Sequence, residues 1–216
     1  MPSLSTKVPF AYKCIHMLVN WFFNTFYDYS ESGNYHIPLK GSAIIASNHV
    51  SFYDPPVVGG NARHQFYYFA RDTLFKGLLG RIISSIGTIP VNRDTADIKS
   101  LKAIFKVLKN GGAIMIFPEG TRSLDGKLSA PKPGAGMIAC KSKAKVVPAR
   151  IFGTFEVWGR HSKLPHLGGS IHISFGPPIE VSTIDPGPDH PDRYGEASRQ
   201  IMSAIAKLKR PKPAVV

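Results

Sequence analysis

Cysteine is scarce in this chain: Cys14 and Cys140 are the two thiols in 216 residues. The pair offers no metal-ligand spacing, and its scarcity suits a reducing compartment. The eight histidines form no ligand-spaced cluster, so no metal centre is expected. Acidic residues are also few, 14 against 27 lysines and arginines, which leaves a net charge of +13. That imbalance excludes an acidic, self-solvating chain and points to an anionic partner: nucleic acid, an anionic bilayer or an anionic substrate. A nucleic-acid reader interleaves basic residues with exposed aromatics, whereas the aromatics here gather near the N-terminus, so no nucleic acid is expected. Ser47 and Ser51 lack the flanking glycines of a nucleophile elbow, which argues against a covalent serine intermediate. Internal repeats are missing too.

An unbroken apolar run is also lacking. Residues 8–29 come closest, but Lys13, His16, Asn20 and Asn24 interrupt them, and a spanning helix needs about 20 mostly apolar residues. The segment ends in Tyr27-Asp28-Tyr29 rather than in the small residues of a signal-peptide cleavage site. Ile15, Leu18, Val19, Phe22, Phe23 and Phe26 recur at helical spacing among further aromatics, a pattern suited to the headgroup boundary of a bilayer. Packing on the chain's own core and a true span are the alternatives. The expected division is a membrane-associating helix over 1–33 and one folded domain over 34–216.

Beyond Gly33, short apolar runs alternate with helical patterns, which predicts an α/β fold with a mostly parallel sheet flanked by helices. Strands are expected at 43–47, 66–70, 88–92, 113–117, 146–152 and 171–175. Helices are expected at 73–86, 95–109, 137–144 and 193–209. The clearest is 95–109, where Ile98, Leu101, Ile104, Phe105 and Leu108 form the apolar stripe and Gly111-Gly112 ends the helix.

Two segments stand where such strands end. One is Ser47-Asn48-His49-Val50-Ser51-Phe52-Tyr53-Asp54, and the other is Phe117-Pro118-Glu119-Gly120-Thr121-Arg122-Ser123. Histidine is the usual general base near neutral pH, and an adjacent carboxylate fixes its tautomer and steadies the imidazolium. Taken alone, His49 and Asp54 also fit a strand-end histidine beside a helix-capping aspartate. The second segment tips that balance. Arg122 can grip a phosphate with two parallel hydrogen bonds, and Gly120 lets backbone N–H groups approach an anion. Glu119 can hold that arginine or bond a hydroxyl of the substrate.

Together these segments resemble the 1-acylglycerol-3-phosphate acyltransferase family of glycerolipid acyltransferases, in four blocks running from Ala43 to Gly153. His49 to Asp54 resembles the catalytic block. Gly87-Thr-Ile-Pro-Val-Asn-Arg93 resembles the second, which implies acceptor binding by Arg93. Phe117 to Ser123 resembles the third, which implies glycerol phosphate contacts through Glu119, Gly120, Thr121 and Arg122. Val146-Val-Pro148 resembles the fourth, a weaker block that implies a wall of the acyl site at Pro148. Where the family often carries Lys-x-Glu-Leu, this chain has Arg71-Asp72-Thr73-Leu74. Arg71 keeps the basic residue for an oxyanion or phosphate contact, while the glutamate is gone.

The resemblance implies transfer of a fatty acyl chain from acyl-CoA or acyl carrier protein to the sn-2 hydroxyl of lysophosphatidic acid, giving phosphatidic acid. No cofactor is implied beyond the thioester co-substrate. The partners implied are an anionic membrane surface, the lysolipid and the thioester. Short size and the lack of targeting signals suggest a peripheral or monotopic location on the cytoplasmic face of a bacterial inner membrane. The alternatives are another lysophospholipid or lyso-ornithine lipid as acceptor, or a lipid-binding module without catalysis.

Overall fold

The runs Ala43–Ser47 and Ala113–Ile116 are buried at every position, as strands must be when helices cover both faces of their sheet. The computed structural model describes residues 10–60, 66–85, 87–91 and 98–211. Its strands are β1 (Asp28–Ser32), β2 (Ala43–Ser47), β3 (Phe66–Arg71), β4 (Thr88–Val91), β5 (Ala113–Ile116), β6 (Lys145–Phe152) and β7 (Ser170–Phe175). They form one sheet in the order β1-β7-β6-β2-β5-β3-β4. Every pairing is parallel except β6 with β7.

The helices are α1 (Phe10–Phe26), α2 (Asp54–Gly60), α3 (Gly77–Ser85), α4 (Ile98–Lys109), α5 (Gly134–Ser142), α6 (Thr154–Trp158) and α7 (Arg193–Lys207). Strand side chains alternate between two cores. On one face Ile45, Met115 and Val147 meet Phe23 and Tyr27, at the end of α1, and Val57 and Val58 of α2. On the other, Ile44, Ile114 and Val146 meet Ile104 and Leu108 of α4, Ile138 of α5, and Ile201 and Ile205 of α7. This is the α/β architecture that the alternating pattern predicts.

Proline is rare inside a central strand because it lacks the ladder donor. Pro148 of β6 is tolerated because of where β7 ends. The β6–β7 ladder runs only as far as Ala149 opposite Phe175, and the next contact on that side is the bridge from Val146 to Ile179. The carbonyl of Pro148 accepts Gly176 N–H, so the missing N–H faces a gap where the neighbouring chain has turned away.

Three elements differ from the sequence reading. The first helix stops at Phe26, and Asp28–Ser32 becomes an edge strand beside β7. Asp-Tyr-Ser-Glu-Ser has no apolar run to announce a strand; its serines instead bond His172 and Ser174 of β7. The helix expected at 73–86 splits into a 3-10 turn at Asp72–Leu74, where Asp72 accepts Thr73 N–H, and α3 from Gly77. The short α6 was not anticipated.

α1 shows why its polar interruptions exist. Asn20 donates to the carbonyl of Gly60, one of the orphan acceptors at the end of α2. A side chain at Gly60 would meet Asn20, so the two helices touch closely there. Tyr12 and Phe23 are buried, while Met17, Leu18 and Trp21 are 63%, 63% and 61% exposed. The helix therefore packs on the core and also presents an apolar face outward. Among the described residues, no helix is long and apolar enough to cross a membrane.

Candidate active site

β2 and β5 are parallel neighbours with Ala46 opposite Ile116, so the loops after them leave the same edge of the sheet. Ligands collect at such carboxyl ends in open α/β sheets. The first loop carries His49 and the second carries Phe117 to Ser123. Ser123 N–H donates to the carbonyl of His49 at 2.8 Å, which ties the two loops together.

Asp54 opens α2, where an aspartate ordinarily caps the helix. Here the next two residues are Pro55 and Pro56, which have no N–H to cap, and the first donor, Val57 N–H, bonds the carbonyl of Tyr53. The carboxylate is thus released for other donors. Oδ2 accepts His49 Nδ1–H at 2.8 Å and the N–H groups of Val50 and Ser51 at 2.6 and 2.7 Å. Oδ1 accepts the Thr154 hydroxyl at 2.7 Å. Asp54 is fully buried and the His49 side chain is 13% exposed. A carboxylate that accepts His49 Nδ1–H fixes the ring tautomer, leaving Nε2 as the proton acceptor. Phe117 stacks on the imidazole at 3.9 Å and 11°, setting the plane of the ring.

The motif has no idle spacer. Between His49 and Asp54, two backbone amides serve the carboxylate, and Ser51 Oγ donates to Trp158 O at 2.8 Å. Phe52 is the platform for Arg122, whose guanidinium carbon lies 3.4 Å from the ring centroid. Phe52 in turn leans on Trp158 at 4.8 Å. This cation–π contact ties Arg122, in the loop after β5, to the His49 loop.

Glu119 is 2% exposed, with Oε1 on His49 N–H at 2.9 Å and Oε2 on Ser129 N–H at 3.1 Å. Burial raises its pKa, opposed by those two hydrogen bonds. The carboxylate thus braces the backbone at His49 against that at Ser129. Gly120 takes φ of 71°, and a Cβ there would stand 2.9 Å from the Lys132 side chain. Thr121 is exposed beside Arg122. Arg71 is the last residue of β3, on the same sheet edge, while Arg93 lies outside the described residues. Pro148 is buried opposite Ala46.

A cleft of about 280 Å³ opens beside His49, lined largely by apolar residues such as Phe69, Val91, Ile104, Phe117 and Ile138, with Lys132 at its polar side. Pro148 is not among its described lining residues. A larger apolar trough, about 450 Å³, lies between α1 and α2 and does not include His49. The smaller cleft is the one next to the chemistry.

The family model described as Acyltransferase matches residues 29–152, from β1 to the end of β6. The chain belongs to the acyltransferase family. A chloroplastic 1-acyl-sn-glycerol-3-phosphate acyltransferase of Arabidopsis thaliana is 31% identical over 166 residues, covering 74% of this chain and 46% of that protein. Proteins of the same description are 30% identical in Borreliella burgdorferi, over 69% of this chain and 61% of the relative, and 34% identical in Bacillus subtilis, over 54% and 59%. The chain thus spans about half the length of the plant relative and about three fifths of the bacterial ones. The crystal structure of the 1-acyl-sn-glycerophosphate (LPA) acyltransferase PlsC from Thermotoga maritima shares the fold, with a TM-score of 0.74 at 24% identity, over 93% of this chain and 81% of that one.

Two residues that contact the His49 and Phe117–Ser123 loops lie beyond the span that the family model matches. Thr154 opens α6 and supplies the fourth donor to Asp54. Arg160 reaches back to donate to Thr121 Oγ1 at 3.3 Å and to the carbonyl of Arg122 at 3.0 Å. Neither belongs to a recognisable motif. The available signal was topological: 146–152 reads as another strand, and the residues just past its carboxyl end are Gly153-Thr154. Gly153 takes φ of 85°, and a Cβ there would fall 1.9 Å from the carbonyl of Ser170, so only glycine fits the turn that delivers Thr154.

Proposed function

We propose that this protein transfers a fatty acyl chain from a thioester, acyl-CoA or acyl carrier protein, to the sn-2 hydroxyl of 1-acylglycerol-3-phosphate. The observation that carries this reading is the His49–Asp54 pair, its carboxylate buried under four donors, on the sheet edge that also presents Arg122. The names of the relatives described above support the choice of acceptor.

In the proposed step, His49 Nε2 takes the proton of the acceptor hydroxyl as its oxygen forms a bond to the thioester carbonyl carbon. Asp54 steadies the resulting imidazolium. The tetrahedral intermediate then breaks its C–S bond, and His49 returns the proton to the departing thiolate, giving free thiol and phosphatidic acid. Arg122, held by Phe52, binds the acceptor phosphate together with Arg93, and Arg71 stabilises the oxyanion or joins in the phosphate contact. Acyl chains suit the apolar cleft beside His49. The exposed face of α1 rests on the leaflet that supplies the acceptor, in a peripheral or monotopic position. Both donors are soluble cytoplasmic species, which favours the cytoplasmic face, in a bacterium that of the inner membrane.

Thiol release tests this reading, with each donor and a panel of acceptors: lysophosphatidic acid, lysophosphatidylethanolamine and lysophosphatidylglycerol. Mass spectrometry then identifies the product. Phosphatidic acid formed preferentially with one or both thioesters is the expected result. Folded protein that releases thiol only with another lysolipid overturns the proposed acceptor.

A further inference from the structure

We infer that loop 159–169, between α6 and β7, is a second membrane-inserting element that docks on an anionic bilayer together with α1. Its sequence is Gly-Arg-His-Ser-Lys-Leu-Pro-His-Leu-Gly-Gly, without an acidic residue. Leu164 and Leu167 are 79% and 64% exposed, among the most exposed large apolar side chains described. Neither packs in either core. Arg160 and Lys163 stand on the same loop and are exposed as well. Leucines projecting from a basic loop have the composition of an interfacial anchor: apolar tips for the acyl boundary, cations for anionic headgroups.

The loop's position supports the same partner. Gly168 N–H donates to Phe26 O, Tyr27 Oη to His166 O, and Asp28 N–H to Gly169 O, so its second half is fastened to the end of α1. Its first half reaches the active site through the Arg160 contacts to Thr121 and Arg122. α1 itself carries exposed Leu18 and Trp21 at the rim of the apolar trough, which Tyr53 and Pro56 complete. Phe52, 44% exposed beneath Arg122, adds a further exposed apolar side chain. Leu124, two residues beyond Arg122, is 61% exposed. A bilayer that meets α1 alone would leave these leucines in water. One that meets both elements brings the mouth of the site to the leaflet holding the acceptor.

The inference rests on the reading of a membrane-borne acceptor, but its test does not depend on turnover. Flotation of the full chain is measured with vesicles of phosphatidylglycerol and phosphatidylcholine, for wild type, Leu164→Asp/Leu167→Asp and Leu164→Ser/Leu167→Ser. Both pairs should lower the vesicle partition coefficient at least about tenfold, because insertion strength follows the apolar area buried. Thermal midpoints and turnover of a short-chain, monodisperse lysophosphatidic acid should stay at wild-type values, since neither leucine is packed. Flotation of the serine pair at the wild-type level would overturn the inference, whether or not the aspartate pair is impaired by charge alone. Unchanged flotation with a raised KM for acyl carrier protein would also overturn it and assign the loop to a protein donor. Wild type that floats but is inert with every lysolipid leaves this inference standing and contradicts the proposed function instead.

Discussion

Thr154 donates to Asp54 Oδ1 inside a fully buried environment, so Thr154→Val leaves that carboxylate oxygen short of a donor. A hydrogen bond to a charged group is worth about 1.5–3 kcal/mol, and the variant should lose stability in that range. It should also lose roughly tenfold in kcat as His49 is less firmly oriented. Thr154→Ser restores the hydroxyl and should recover most of both, as thermal melts and initial rates can measure. Phe52 offers a different separation. Phe52→Leu keeps an apolar body but removes the π face beneath Arg122, and a cation–π contact of about 1–2 kcal/mol predicts a rise in acceptor KM of about 5- to 30-fold. Because Phe52 does not touch the proton path, kcat should change little; a fall in kcat with unchanged KM would contradict that role. The His49–Asp54 pairing was legible in the sequence because its motif is short and contiguous. Thr154 and Arg160 were not, being about 100 and 40 residues from the groups they contact, with only a strand end to mark them. Phe52 was visible as a residue, yet its contact with Arg122 depends on how two loops fold together.

At the scale of elements, β2, β5 and β6 were readable because burial on both faces writes a continuous apolar run. β1 was not. An edge strand of alternating polar residues carries no such mark, and its place beside β7 rests on serine hydroxyls around His172. That histidine is 3% exposed, bonded to Ser30, Ser32 and Ser174, with its pKa lowered by burial and, secondarily, by the positive charge of Arg210. The unfolded chain therefore takes up the proton more readily than the folded one. Its contribution to stability is complete above the ordinary histidine pKa of about 6.5 and is lost as pH falls from there through the lower folded value. His16 is shifted in the same direction, also by burial, so wild type alone cannot assign the effect. His172→Gln should flatten the decline in thermal midpoint between pH 7.5 and 5.5. An unchanged slope would remove His172 from the account.

The order of the sheet belongs to the whole molecule and was out of reach of any local pattern. β2 lies between β5 and β6, neither of which is its next strand in sequence, and this crossing brings His49, Arg122 and Thr154 to one edge. Strand ends predicted one by one indicate where loops emerge but not which loops meet. Net charge also acts at this scale. With +13 on the chain, association with anionic vesicles should weaken steeply between 50 and 500 mM salt if the positive field draws the protein to the leaflet, and remain level if apolar contact alone suffices.

The most direct test of the central claim is product formation from lysophosphatidic acid and a long-chain thioester by wild type, His49→Ala and Asp54→Asn, with phosphatidic acid quantified by mass. All three proteins are first shown to be folded. The account predicts phosphatidic acid from wild type and a loss of about 10²–10⁴-fold in kcat/KM for His49→Ala, the range spanned by general-base catalysis. Asp54→Asn should fall substantially as well. Phosphatidic acid formed by folded His49→Ala at the wild-type rate would contradict it.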